Sequence, residues 1–196
     1  MNDSSLKSGW KSVNKMEYEP IKSVYDPSSY FATPIWYIEK ELPEGAYDWA
    51  LDIEKNTEGI QKTNRGGYHS SSINMKTVPY FNYIQDIMSF LPCFHYSHLW
   101  VNINRKGDYN IKHTHPTSDL ACIWYITDNM HKLYLEDPMQ FSREALYKRF
   151  GMVNYKSINA KAGSFVMFPA DVCHWVEPHE EDTPRISVSF NIRFNE

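Results

Sequence analysis

Three histidines stand at positions from which their side chains could bind one metal ion. His113 and His115 lie two residues apart in Tyr-Asn-Ile-Lys-His-Thr-His at 109–115, a segment with the composition of a strand. Because side chains alternate along a strand, we expect the two imidazoles to share a face, about 7 Å apart. His174 opens another predicted strand, which could pair beside the first. Three neutral imidazoles suit a divalent metal ion such as iron, zinc or nickel.

An acidic residue nearby is an alternative third ligand. Asp119 lies four residues after His115, and its carboxylate could bind the same ion if the intervening turn folded back. That turn, Pro-Thr-Ser-Asp at 116–119, has a composition in which an Asp side chain usually accepts a local hydrogen bond. We therefore predict His115 as the third ligand and keep Asp119 as the alternative. The other five histidines have no partner at metal-binding spacing and are expected at the surface or in the core: His69, His95, His98, His131 and His179.

The last predicted strand carries an arginine on a polar face. In Arg-Ile-Ser-Val-Ser-Phe-Asn-Ile at 185–192, alternation places Arg185, Ser187, Ser189 and Asn191 on one side and four apolar residues on the other. We expect the apolar side to pack under helices, and the polar side to line a pocket in the sheet that carries the histidines. An arginine with a hydroxyl two residues away can bind a carboxylate through charge-assisted hydrogen bonds. The strand therefore predicts a carboxylate site.

Hydrophobic periodicity indicates the elements that must position these residues. Apolar residues at helical spacing predict helices over 43–64 and 80–91, and Pro92 stops the second. An aromatic, β-branched stretch predicts a strand at 30–38. Further short strands are expected at 99–104, 109–115, 120–126, 132–135, 164–168, 173–177 and 185–193. This order predicts an α+β, mainly β fold: a sandwich or barrel with the N-terminal helices packed on one sheet.

Composition narrows the class of protein. The 196 residues are 42% hydrophobic and 22% charged, which is typical of a folded domain. With 20 basic and 24 acidic side chains, the net charge of −4 does not indicate a nucleic-acid partner. No apolar run approaches the roughly 18 residues of a membrane span, and the first thirty residues lack the apolar core of a signal peptide, so we expect a cytoplasmic protein. The three cysteines, Cys93, Cys122 and Cys173, are expected to be reduced and buried.

Several motifs, taken in order, resemble a known family. His-x-His at 113–115, Cys-Ile-Trp-Tyr-Ile at 122–126, and a distal His174 followed eleven residues later by Arg-x-Ser are similar to the double-stranded β-helix of the Fe(II)/2-oxoglutarate-dependent dioxygenases. Tyr-Phe-Ala-Thr-Pro-Ile-Trp at 30–36 and Asn-Arg-Gly-Gly-Tyr-His-Ser at 64–70 resemble segments of a phage and bacterial group of 2OG-Fe(II) oxygenases. The resemblance implies a jelly-roll or cupin-like domain at 30–196. Helical support occupies about 43–92, the β-helix core occupies about 97–196, and a partly extended arm precedes the domain at 1–29.

The resemblance also implies roles for individual residues. It makes His113 and His174 iron ligands, and it places His115 where the wider superfamily has Asp or Glu. An imidazole there keeps three ligands on one face of the ion but removes a negative charge.

The resemblance assigns the cosubstrate to the last strand. It makes Arg185, with Ser187, the anchor for the distal carboxylate of 2-oxoglutarate, and Tyr125 a hydroxyl donor to that carboxylate. Alternation agrees for Tyr125, because Ala121 and Ile123 share its face and leave room for a cosubstrate.

The expected function is an Fe(II)- and 2-oxoglutarate-dependent oxygenase that hydroxylates a peptidyl or small-molecule substrate and releases succinate and CO2. One alternative is a three-histidine, cupin-like dioxygenase that uses no 2-oxoglutarate. Another is a non-catalytic module that binds a metal or a carboxylate. Neither the substrate nor the oligomeric state follows from the sequence.

Overall fold

Short antiparallel strands dominate the computed structural model, which describes residues 32–150 and 153–195. In chain order the strands are Trp36–Ile38 (β1), Asn64–Arg65 (β2), Tyr68–His69 (β3), Phe94–Asn104 (β4), Tyr109–His113 (β5), Leu120–Tyr125 (β6), Asn129–Glu136 (β7), Tyr155–Ala160 (β8), Phe165–Pro169 (β9), His174–Val176 (β10) and Arg185–Phe194 (β11). They form a six-stranded sheet, β1-β9-β6-β11-β4-β3, and a five-stranded sheet, β2-β5-β10-β7-β8. The predicted arm at 1–29 lies outside the described residues.

The apolar face of β11 and two helices make one core on the outside of the six-stranded sheet. The helices are Ala46–Asn56 (α1) and Phe81–Met88 (α2). Ala46 and Ala50 of α1 and Met88 of α2 are inaccessible to solvent. They pack against the alternate apolar residues of the sheet, among them Leu99, Val101 and Ile103 of β4 and Ile186, Val188, Phe190 and Ile192 of β11. The predicted arrangement, with N-terminal helices on one sheet of a mainly β fold, is confirmed.

A second core fills the space between the two sheets. It combines Ala121 and Ile123 of β6 and Phe168 of β9 with Leu133 and Leu135 of β7. The same face of the six-stranded sheet also carries the polar side chains of β11. Apolar side chains therefore fill one part of the space between the sheets, and polar side chains line the rest. The histidines and Arg185 were expected in one sheet. They instead lie in different sheets, and β11 faces β5 and β10 across the interior.

Two adjacent glycines carry the chain from one sheet to the other. β2 pairs with β5 in the five-stranded sheet, and β3 pairs with β4 in the six-stranded sheet. Gly66 and Gly67 connect them with φ of +67° and +65°, a backbone region that L side chains rarely adopt. A Cβ on Gly67 would lie 2.8 Å from the Ile103 backbone carbonyl oxygen, so space and conformation both favour glycine there.

Several elements differ from the sequence predictions. The first helix ends at Asn56 rather than near residue 64, because Thr57 is extended at φ −137° and its N–H closes the last turn on the Ile53 carbonyl. The second helix ends at Met88, before Pro92. The first strand is confined to Trp36–Ile38. A helix at Gln140–Phe150 (α3) and strand β8 were not predicted, since the apolar residues of this region do not mark one face of a helix. Among the described residues, no helix is long and apolar enough to cross a membrane.

The cysteines are only partly as expected. Cys122 is buried and Cys173 is half-buried, whereas Cys93, which was expected to be buried, is exposed. Cys93 lies one residue before β4, outside the core that the later residues of that strand enter.

Candidate metal and carboxylate site

Two of the three predicted histidines are direct neighbours across a strand pair. β10 pairs with β5 so that His174 lies opposite His113, and their ring centroids are 4.1 Å apart. His174 is 4% exposed and His113 is half-buried. Pairing of these strands, which was predicted for the segment that begins at His174, is confirmed.

Each of these two rings is fixed by a backbone carbonyl. His113 Nδ1 lies 2.8 Å from the Ile111 carbonyl oxygen, and His174 Nδ1 lies 2.9 Å from that of Val172. A carbonyl only accepts, so Nδ1 of each ring donates, and the neutral imidazole carries its free lone pair on Nε2. This hydrogen bond is the usual support of a metal-binding imidazole, because it fixes both the tautomer and the ring orientation.

His115 reaches the same place by a different route. The strand ends at His113, so alternation along β5 does not position His115 as predicted. Instead its backbone N–H donates to the Ala170 carbonyl at 2.8 Å, which ties the turn after β5 to the loop before β10. Its ring packs against His174 at 5.1 Å and Trp100 at 5.6 Å between centroids. One ligand atom from each of the three histidines lies within 4.8 Å of the others.

The electrostatics of the cluster keep all three rings neutral. Burial is the main cause that lowers each pKa below its ordinary value, and the neighbouring imidazoles lower it further for His115 and His174. The pKa of His115 falls to about 4. Metal binding requires deprotonated imidazoles, so these rings present lone pairs at neutral pH. Three converging nitrogen donors fit Fe(II), Zn(II) or Ni(II).

The alternative ligand, Asp119, is engaged elsewhere. Its Oδ2 accepts the N–H of Phe194 at 2.8 Å, and its main chain bonds to Ile192 and Ala170. The converging group of described ligand atoms consists of the three imidazoles and does not include this exposed carboxylate. The geometry thus brings together the favoured ligand set, while the metal-binding role of each residue stays a prediction.

The three histidines and the polar face of β11 line the same cavity. Arg185, Ser187, Ser189 and Asn191 all line it, as alternation predicted. Tyr125 of β6 lines the cavity too. It is 3% exposed and lies opposite Ser187 of the adjacent strand β11. Asn102 also lines the cavity and donates from Nδ2 to Ser189 Oγ at 3.1 Å, and Ala121 and Ile123 lie beside Tyr125.

Arg185 is a buried cation without a counter-ion in the described residues. It is 4% exposed; Nη1 donates to the Glu177 carbonyl at 3.3 Å, and Nη2 has no hydrogen-bond partner. Among the described residues, no carboxylate lies within ion-pair distance of its guanidinium. Burial lowers its pKa to about 10, against the opposing influence of Tyr125 and Asp108. Burying an uncompensated charge is costly, so an anion bound in the cavity would offset the cost of burying this guanidinium.

Two residues beside the histidines were not identified from the sequence. Trp100 of β4 packs on His115, and its indole stacks on His69 of β3 with ring centroids 5.6 Å apart and planes 9° apart. The alternation of β4 offered a signal, because it places Trp100 on the same face as Asn102 and opposite Leu99 and Val101. His69 carried no such signal, since a two-residue strand has no readable period.

Comparisons with known proteins agree with this site. Residues 98–191 match the family model described as "Putative 2OG-Fe(II) oxygenase". This range begins inside β4 and includes the histidines, Tyr125 and Arg185. No curated protein matches the sequence significantly.

Solved structures share the fold at low sequence identity. HygX from Streptomyces hygroscopicus, with nickel and 2-oxoglutarate bound, is 8% identical at TM-score 0.60 and covers 83% of this chain and 84% of its own. The non-heme α-ketoglutarate-dependent epimerase SnoN from nogalamycin biosynthesis is 11% identical at TM-score 0.64, covering 83% and 78%. A prolyl-4-hydroxylase from Pseudomonas putida is 14% identical at TM-score 0.59, covering 84% and 94%. The fold is therefore the jelly roll of these proteins.

Together, the match over 98–191 and the shared jelly roll support the assignment of this chain to the 2OG-Fe(II) oxygenase superfamily.

Proposed function

We propose that the protein hydroxylates a small-molecule or peptidyl substrate in a reaction that consumes 2-oxoglutarate and O2 and releases succinate and CO2, with Fe(II) held by His113, His115 and His174. The observation that carries this proposal is the uncompensated guanidinium of Arg185 in the cavity that the three imidazoles line. A dicarboxylate with a 2-oxo acid at one end can satisfy both parts of the cavity. When bound, the iron with 2-oxoglutarate and O2 supplies the oxidising chemistry.

The chain's own residues bind and orient the cosubstrate. Arg185 pairs with the distal carboxylate of 2-oxoglutarate through its unpartnered Nη2, and Ser187 and Tyr125 donate hydroxyl hydrogen bonds to the same group. The three imidazoles would hold the metal through their converging nitrogen lone pairs. Phe168, buried and edge-on to His174 at 4.8 Å, keeps water from the inner side of the cluster.

The structurally similar proteins support 2-oxoglutarate as the cosubstrate, but they catalyse different reactions on their substrates. HygX was solved with nickel and 2-oxoglutarate. The similar structures include a hydroxylase, an epimerase and a carbocyclase. Hydroxylation is the outcome we propose here.

The test is metal-dependent conversion of 2-oxoglutarate. We expect Fe(II)-loaded protein to convert 2-oxoglutarate to succinate in air, slowly without substrate, and to stop on metal chelation. Arg185→Ala should lose most of this activity, whereas Arg193→Ala, an exposed arginine on the same strand, should keep it. Iron-dependent O2 consumption that needs no 2-oxoglutarate would favour the three-histidine dioxygenase. Binding of the metal and 2-oxoglutarate without formation of succinate would favour a non-catalytic module.

A further inference from the structure

His113 and His115 line a second concavity besides the cavity that holds Arg185. It is an open groove of about 480 Å³, and Arg185, Ser187 and Tyr125 are not among its lining residues. We define the groove by Lys62, His69, His98, Trp100, Pro116 and Asn191, which line it around the two imidazoles. A metal ion held by the histidines would therefore stand between a cosubstrate cavity and a separate open site.

Asn191 connects the two spaces. It lines both the cavity and the groove, it is 4% exposed, and its Oδ1 has no hydrogen-bond partner. Buried carbonyl oxygens are almost always bonded, so this oxygen is an acceptor available to a hydrogen-bond donor at the junction of the two spaces. 2-Oxoglutarate carries no N–H or O–H when ionised and cannot be this donor, whereas a second ligand with a hydroxyl or N–H group can.

The charges around the groove favour an anion. None of its described lining residues is Asp or Glu, although the whole chain carries a net charge of −4. Lys62 is the cation at its exposed rim. Lys62 and the buried His69 both line the groove, so the ammonium and the inner wall border the same space. A carboxylate would be attracted here, and an ammonium would meet no opposite charge.

The rest of the wall suits an apolar body. The indole of Trp100 and the ring of Pro116 line the groove next to His115. Aromatic and apolar surfaces of this kind bind the carbon skeleton of a ligand, and a small number of polar groups fix its orientation.

We propose that the groove binds the substrate of the oxygenase and that this substrate is a small organic acid. Its carboxylate meets Lys62, its apolar body lies against Trp100 and Pro116, and a hydroxyl or N–H group donates to Asn191 Oδ1. This inference rests on the proposed function, because it takes the histidines as the metal site.

The test compares probes that differ only in charge. Protein loaded with Ni(II) and saturating 2-oxoglutarate, so that Arg185 is occupied, is titrated with 3-phenylpropanoate, 3-phenylpropanamide and 3-phenylpropylamine by ligand-observed NMR. We expect the acid to bind at least fivefold more tightly than the amide, and the amine most weakly. Lys62→Gln should abolish the preference for the acid, whereas Lys76→Gln, which removes an exposed lysine away from the groove, should retain it.

A second comparison tests the donor. 2-Hydroxy-3-phenylpropanoate adds one hydroxyl to the acid, and we expect it to bind more tightly than 3-phenylpropanoate to the wild type. In Asn191→Ala, the difference in affinity between the two acids should become smaller. Thermal unfolding checks that the variant is folded.

The two levels of the hypothesis fail in different ways. If Ni(II) and 2-oxoglutarate do not bind, the proposed function is wrong. If both bind but the amide or the amine equals the acid, or no probe binds, the small-acid inference alone is overturned.

Discussion

His113 and His174 are cross-strand partners, and each donates its Nδ1–H to the carbonyl two residues before it in the chain. The same local hydrogen bond thus occurs within β5 and at the start of β10, and it leaves both Nε2 lone pairs free. Because each bond joins residues only two positions apart in the chain, the two rings are oriented before any ion arrives. Preorganisation of this kind lowers the cost of binding, since little side-chain freedom remains to be lost.

Removing one ring of this pair should remove most of the metal affinity. We expect His174→Ala to weaken Ni(II) or Co(II) binding by at least about 100-fold, because two imidazoles remain where three converged. Isothermal titration calorimetry measures the affinity. His95→Ala is the matched control, since His95 is exposed and bonds to Asn195. Equal affinity in the two variants would show that the cluster is not the metal site.

The third ligand can be separated from its alternative by a pair of variants. His115→Ala should weaken metal binding, whereas Asp119→Ala should leave it unchanged. Asp119→Ala should instead lower the free energy of unfolding by about 0.5–1.5 kcal/mol, because its carboxylate accepts the N–H of Phe194 at the end of β11. Metal titration and urea unfolding of the same variants test both parts. Loss of metal in Asp119→Ala with retention in His115→Ala would reverse the assignment.

Trp100 should act on the metal site through His115. The described hydrogen bonds include none from the ring nitrogens of His115, so contacts with rings, among them the indole of Trp100, replace the carbonyl that orients the other two histidines. We expect Trp100→Leu to reduce Ni(II) affinity about 3- to 10-fold, because the imidazole gains rotational freedom. Trp49→Leu removes an indole that packs on Tyr80 of the helical layer, and should leave metal affinity unchanged. If both variants bind Ni(II) like the wild type, Trp100 does not position His115.

What the sequence could predict depended on the length of each strand. The ten-residue strand β11 has a period of two over its whole length, and this placed Arg185, Ser187, Ser189 and Asn191 on one face. The same rule could not place His115, because β5 ends two residues earlier and the turn is held by Ala170, more than fifty residues along the chain. Alternation likewise does not reveal which sheet a strand joins, and for this reason the histidines and Arg185 were predicted in one sheet rather than in two facing sheets.

Replacing Arg185 should weaken 2-oxoglutarate binding without lowering the stability of the ligand-free protein. We expect Arg185→Met to weaken 2-oxoglutarate binding by roughly 30-fold or more, since loss of a buried charge-assisted bond typically costs about 2–5 kcal/mol. Ni(II) affinity should hardly change, because the guanidinium is not part of the imidazole cluster. In the absence of ligand, the variant should be as stable as the wild type or more stable, since methionine replaces a buried charge that has no counter-ion. Anaerobic titration and urea unfolding measure the two quantities.

Two further variants make the Arg185 result specific. Arg185→Lys should recover only part of the affinity, because a point charge does not reproduce the planar guanidinium. Arg193→Met removes an exposed arginine of the same strand and should bind 2-oxoglutarate normally. If Arg185→Met destabilises the ligand-free protein strongly, its guanidinium has a structural partner and is not held for a ligand. If all variants bind 2-oxoglutarate as the wild type does, the carboxylate anchor lies elsewhere in the cavity.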